Sequence, residues 1–185
     1  ARENARRASC QSNVKQVLLG VMQYTQDYDE KYMPMYTNPP VIYWPTIIQP
    51  YLKSTQIMDC PSNSGAKWTG ALTDYYPSYG LNTLIFEVQG NAGISLSTPN
   101  APSETVMFAD AANNPRVNPE GFAYAGGAYN NNGNWPQYRH LETTVVGFMD
   151  GHVKSMRKSA LEVKSANEGA KTGLVGDEQY TLWNL

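Results

Sequence analysis

Long apolar runs are missing from this chain. Nowhere in its 185 residues do 18 apolar residues follow one another, so the sequence as it stands predicts no membrane-crossing helix. It also carries no signal-peptide pattern, yet it opens on Ala already in helical register. That beginning is expected of a processed or truncated chain whose preceding piece continued the helix. Charge is sparse: 16% of residues, 14 basic against 16 acidic, net -2. The only basic concentrations are Arg2, Arg6, Arg7 and Lys154, Arg157, Lys158, so no nucleic-acid partner is expected. A nucleophile elbow, a Walker loop and a dinucleotide fingerprint are all absent, which removes the commonest hydrolase and nucleotide-binding chemistries. The sequence does not read as an enzyme and calls for no cofactor.

Cysteine is equally scarce. Cys10 and Cys60 are too few and too far apart for a zinc-finger type of site. They leave a choice between a disulfide and two buried thiols. A Cys10–Cys60 disulfide is the expectation carried forward: it would close about fifty residues, stabilise the fold by about 4 kcal/mol in the chain-entropy model, and imply an oxidising compartment. What is abundant is Tyr (13), Gly (15), Pro (12) and Asn, a composition that suits a β-rich, loop-rich extracellular surface. At 41% hydrophobic residues, 185 residues build one domain, 1–185.

The chain is organised around its first stretch, a helical spine over 1–32 ahead of a globular head over 33–185. Cys10, Val14, Val17, Val21, Tyr24 and Tyr28 recur at spacings of four and three, with Leu18 and Met22 widening the stripe. Ala1, Ala5 and Ala8 fall roughly opposite, among Arg2, Glu3, Arg6 and Arg7. These leading turns have little to bury and are expected to project, fray in isolation, and offer a small-residue surface to neighbouring subunits. Gly20 costs roughly 1 kcal/mol in a helix interior. The apolar stripe nevertheless continues through it.

After the spine, prolines at 34, 39, 40 and 45 punctuate a packed loop. A short helix is predicted over Trp44 to Leu52 and a brief strand at Ile57-Met58. Further strands are predicted around Asn82 to Val88 and over Thr105 to Ala109, ending at Asp110. The Asn- and Gly-rich stretch 111–137, with Phe122, Tyr124, Tyr129 and Trp135, reads as a long ordered loop. TTVVGFMDGHVKSM predicts a hairpin with a type I′ turn at Asp150-Gly151, both at φ > 0, pairing Met149 with His152, Phe148 with Val153 and Val146 with Ser155. A helical patch around Ser159 to Ala166 and a strand over Gln179 to Trp183 complete the reading.

Three groups could carry chemistry. His140 and Asp150 suggest acid/base work or a metal site, although Asp150-Gly151 reads as a plain turn and His140 as a hydrogen-bonded structural residue, and no Glu or His stands at helical spacing for a zinc site, His152 being the only other histidine. Asp110 and Asp150, with loop carbonyls, are candidates for calcium, although no EF-hand spacing exists. Exposed Tyr, Trp and Asn could hold a glycan.

These stretches together resemble a known family. AREN-AR-ASC-SNVKQ and YTQDYDE in the spine, DCPS at Cys60, SYGLN at Ser78 to Asn82, ETVMFAD ending at Asp110, and His140-x9-Asp150-Gly151 followed by HVK resemble the bacterial type IV pilin-like, or type II secretion pseudopilin-like, proteins. Those carry a prepilin N-terminus and a C-terminal H-x9-D-G motif. The resemblance implies an α+β pilin-like fold, a long N-terminal helix packed on an antiparallel β-sheet, and marks His140, Asp150 and Gly151 as the family motif. It also implies prepilin cleavage and methylation, and an apolar helical segment ahead of the spine that anchors the protein in the inner membrane, in the periplasm or at the cell surface. Its partners would be other pilin-like subunits and the pilus or secretion assembly machinery. The function so implied is a structural filament subunit; the alternative is a membrane-tethered extracellular module, for glycan or calcium, that shares the fold.

Overall fold

The computed structural model describes residues 1–65, 67–70, 77–86, 93–111, 116–117 and 136–161. The predicted loop aromatics, the C-terminal strand, and the extension of the last helix past residue 161 lie outside these residues. So does most of the 111–137 loop.

The spine is a single helix, α1 (Arg2–Asp27), of 26 residues and so about 39 Å long. It stops short of residue 32 because Asp29 and Glu30 turn into the left-handed region (φ 50° and 55°), where the Glu30 amide donates back to the Thr25 carbonyl. The predicted stripe is buried at Cys10, Val14, Val17, Leu18, Val21 and Tyr24. Tyr28 departs from it: the residue lies just past the helix, half exposed and stacked on Tyr24. None of the helices among the described residues is long and apolar enough to cross a membrane.

Past α1, a two-stranded ribbon pairs β1 (Tyr36–Thr37) with β2 (Ile42–Tyr43). It leads into α2 (Trp44–Ile47). The expected 44–52 helix is in fact α2 followed by a 3-10 turn at Gln49–Tyr51, because Pro50 has no amide to continue the ladder. Ile57-Met58 belongs to a second 3-10 turn, Thr55–Met58, not to a strand. Ser54 caps that turn by accepting from the Gln56 amide.

The main sheet has the order β5-β3-β4-β6-β7. Its strands are β3 (Tyr79–Asn82), β4 (Val106–Asp110), β5 (Arg116–Val117), β6 (Thr143–Phe148) and β7 (Val153–Arg157). The fold is α+β, with antiparallel pairings from β3 to β7 and one parallel pair, β3 with β5, at the edge. The strand expected over 82–88 ends at Asn82, where α3 (Thr83–Phe86) begins. A short helix, α4 (Lys158–Leu161), follows β7.

Strand β6 is buried on both faces. Val145 joins the large cluster under α1, while Val146 and Phe148 join a smaller one with Val106, Ala109, Met156 and Leu161. Between them Gly147 faces α1: a Cβ there would lie 2.9 Å from both Leu18 Cδ1 and Val14 Cγ1. Gly20 serves the opposite contact, since a Cβ on it would meet Leu52 Cδ2 at 2.6 Å. Each glycine is therefore a point of close approach, which explains a helix-interior Gly that propensity disfavours.

The β6–β7 hairpin exists but its register is one residue off the expected one: Gly147 pairs Val153, Val146 pairs Lys154 and Val145 pairs Ser155. Phe148 and His152 close a three-residue loop, Met149 to Gly151, with the Phe148 amide on the His152 carbonyl and the Gly151 amide on the Phe148 carbonyl. Only Gly151 has positive φ (89°) there, as in a type I turn followed by a left-handed glycine. The turn with two left-handed residues sits instead at Leu141-Glu142 (φ 52° and 61°), where His140 and Thr143 exchange both backbone hydrogen bonds. Neither residue favours that region, so the sequence gives no turn signal.

Two outcomes follow for the fold. Gly147→Ala should destabilise the protein by about 1–3 kcal/mol, read as a lower melting temperature, because α1 and β6 must move apart to admit a methyl group. Replacing Leu141-Glu142 by Asn-Gly should raise the melting temperature, by about 1–2 kcal/mol of stability, because it removes left-handed strain. An unchanged midpoint in either variant contradicts the stated geometry.

Candidate functional site

The side chains that the sequence singled out separate into two places at opposite ends of β6. At the leading end, the Leu141-Glu142 turn aims His140 inward, where it is wholly buried. Its Nδ1 lies 2.6 Å from Glu3 Oε1 and, since a carboxylate only accepts, donates to it. Its Nε2 lies 3.3 Å from Cys60 Sγ and 3.5 Å from Asp110 Oδ2. Cys10 and Cys60 form the expected disulfide, with Cα atoms 5.2 Å apart. Glu3 thus ties the first turn of α1 to His140, ahead of β6, and the disulfide ties its third turn to Cys60, past the Thr55–Met58 turn. Glu3 also accepts from Ser62 Oγ (2.8 Å) and pairs with Arg6 (3.7 Å). The expectation that these leading turns have little to bury holds at Ala1, Ala5 and Ala8 but not at Glu3, which is partly buried.

Asp110 closes β4 and is wholly buried. Its Oδ2 accepts from the Val145 amide (2.7 Å) and lies 3.4 Å from Thr144 Oγ1. Oδ1 has no hydrogen-bond partner among the described residues. Nearby Arg139 donates to the Ala111 carbonyl through Nη2, while its buried Nη1 has no partner among the described residues. Burial pushes the Asp110 carboxyl up to about 6, against the opposing pull of Arg139, the Val145 amide, His140 and Thr144. Burial also pushes the Tyr79 phenol upward, reinforced by Asp110. Glu3 moves the other way. Desolvation works against its charge, but Ser62, His140 and Arg6 together hold the carboxyl below its ordinary value.

At the far end, Asp150 and Gly151 sit in the hairpin loop. Asp150 Oδ1 accepts from the His152 amide (3.0 Å) and lies 2.7 Å from His152 Nδ1, and the His152 ring stacks on Phe148. The loop is docked on its surroundings: Lys15 Nζ donates to the Gly151 carbonyl (2.7 Å) and Tyr32 Oη to the Met149 carbonyl (3.1 Å). The Asp150 amide reaches the Pro102 carbonyl, ahead of β4. The structure therefore does not bring His140 and Asp150 together as an acid/base pair. Nor does it bring Asp110 and Asp150 together for one calcium ion, because they stand at opposite ends of β4. Ala1, Ala5 and Ala8 are exposed.

What the geometry offers is attachment, not access. His140 has no exposed surface, its Nδ1 donates to Glu3, and its Nε2 faces Cys60 Sγ and Asp110 Oδ2. Sequence reasoning found His140 and both cysteines, but missed Glu3 and Arg139 because each looks like an ordinary charged residue beside polar neighbours. Residues 1–77 match a family model. It is SBP_bac_10, described as a protein of unknown function (DUF1559). The matched part holds α1, Glu3 and both cysteines, and ends before Asp110, His140 and the hairpin. Neither a curated protein nor a solved structure matches the chain.

Asp110 gives the site a pH signature. Its pKa is raised in the folded chain from about 3.8 to about 6, so the folded state holds the proton more tightly and stability falls as pH rises through that window. Asp110→Asn removes this loss. The variant's melting temperature relative to the parent should therefore climb between about pH 4 and pH 6, with a ceiling of roughly 3 kcal/mol. A pH-independent difference contradicts the assignment.

Proposed function

We propose that this chain is a structural subunit of a type IV pilus-like or type II secretion pseudopilus-like filament, and that it is not an enzyme. One observation carries the reading. A helix of about 39 Å lies along the sheet through Val14, Val17, Leu18 and Val21, while its leading turns present Ala1, Ala5 and Ala8 to solvent. Small side chains let another helix approach closely, and the first turn is held in place by Glu3 instead of waving free. Such a rigid, small-residue helix end suits packing among identical helices.

In this reading the partners are other pilin-like subunits and their assembly machinery. An apolar segment continuing α1 anchors the protein in the inner membrane with the head outside the cytoplasm, and that part rests on the family resemblance. The disulfide fits an oxidising compartment. Ala5→Leu/Ala8→Leu tests the proposal. The melting temperature of the domain should stay within about 1 °C, since an exposed substitution away from special features changes stability little. The yield of filaments from the full-length protein, expressed with its assembly machinery, should fall. A sharply lower melting temperature together with normal filaments would overturn the reading.

A further inference from the structure

The buried line at the leading end of β6 contains a second arrangement that the disulfide conceals. Cys10 Sγ, Cys60 Sγ and a ring nitrogen of His140 all lie within 4.8 Å of one another, and all three residues are wholly buried. Nitrogen and sulfur ligands at about 2.0–2.3 Å around a tetrahedral zinc ion stand about 3.3–3.8 Å apart. The His140 Nε2 to Cys60 Sγ separation is 3.3 Å. Histidine is also prepared as a ligand, because its Nδ1 donates to Glu3 Oε1 at 2.6 Å. That leaves the Nε2 lone pair facing the sulfurs, in the carboxylate–histidine–metal pattern. A further observation points to a cation. Asp110 is wholly buried, has its Oδ2 3.5 Å from His140 Nε2, and keeps an Oδ1 without a partner among the described residues. An ionised carboxylate is costly in such a place; the Arg139 guanidinium nearby offsets part of that cost, and a cation held at the His140 ring would offset more.

We propose that the reduced form of this chain binds one divalent cation of the zinc class through Cys10 Sγ, Cys60 Sγ and His140 Nε2, the fourth position going to Asp110 Oδ2 or a water. Disulfide and metal are then alternative closures of one cross-link. A dithiol reductant delivers two electrons and two protons to the bridge, freeing both thiols and becoming a disulfide itself. The cation displaces the two thiol protons into solvent and is held by two thiolates and a neutral imidazole. A disulfide oxidant that takes two electrons from the thiolates, and takes up two protons from solvent to leave as a dithiol, re-forms the Cys10–Cys60 bridge and releases the cation. This inference does not depend on filament assembly.

The test uses the purified chain, reduced with a water-soluble phosphine and freed of it, then titrated with zinc and with cobalt(II). The reduced chain should bind one zinc per chain by equilibrium dialysis, and its cobalt form should show the intense visible bands of a tetrahedral site with thiolate charge transfer. The oxidised chain should show neither. Cys10→Ser/Cys60→Ser should abolish binding, His140→Gln should weaken it at least tenfold and alter the cobalt spectrum, and Glu3→Gln should weaken it about tenfold while retaining the bands. If reduction unfolds the chain, zinc should restore its native far-UV dichroism. Equal uptake by oxidised and reduced chains overturns the proposal. So does His140→Gln binding with unchanged affinity and spectrum, or a reduced chain that neither takes up cobalt nor refolds with zinc.

Discussion

The structure depends on how closely α1 can approach β6. Gly147 has no Cβ, and Val14 and Leu18 occupy the space one would fill. Strand and helix therefore meet backbone to side chain. Everything on the helix side is arranged around that contact, with Val145 and Met149 beside it and the 44–58 segment closing over the other flank of α1 at Gly20. Burial of the apolar stripe supplies the driving force, since a helix of this length is held mainly by tertiary packing of its apolar face.

Apolar packing alone leaves a helix free to slide by a turn along a smooth sheet. Here two clamps prevent it. Glu3 meets His140 ahead of β6, and Lys15 meets the Gly151 carbonyl beyond its end. Twelve residues of helix separate Glu3 from Lys15, about 18 Å, and the six residues of β6 span about 20 Å. The two lengths agree. In this chain the His-x9-Asp-Gly spacing is therefore a length: one strand with a turn at either end, cut to match the helix segment lying on it. His140 and Asp150 need no contact for their spacing to matter.

This geometry also explains which parts were legible in the sequence. The stripe on α1 was readable because a 3.6-residue period survives any tertiary context, and Tyr28 fell off it only because the left-handed residues 29 and 30 end the helix just beyond it. The hairpin was readable from Asp150-Gly151, but its register was not. A two-residue and a three-residue loop use the same Gly, and the choice was made by the docking of the loop onto Lys15, Tyr32 and Pro102. The turn at Leu141-Glu142 was illegible, because neither residue advertises positive φ and tertiary contacts impose it. The site was half visible: rare residue types, two Cys and two His, stood out, whereas Glu3 needed the fold to reach His140 across 137 positions.

The polar line from Glu3 through His140 to Asp110 fixes the first turn but is not the main source of the free energy that binds the helix to the sheet. Burying a carboxylate costs several kcal/mol, and attraction to a neighbouring imidazole or guanidinium repays that only when every lone pair and proton is satisfied. Asp110 Oδ1 and Arg139 Nη1 lack hydrogen-bond partners among the described residues. The two ends of the line also respond oppositely to pH. Glu3 has a lowered pKa, so its contribution is present above its ordinary value and lost as pH falls, whereas the raised pKa of Asp110 makes its ionisation a loss as pH rises. The two responses therefore oppose each other. What the line yields is position, since only one placement of α1 brings Glu3 Oε1 to His140 Nδ1. The apolar face and the Cys10–Cys60 bridge then carry the free energy, and the polar line selects the register in which they act.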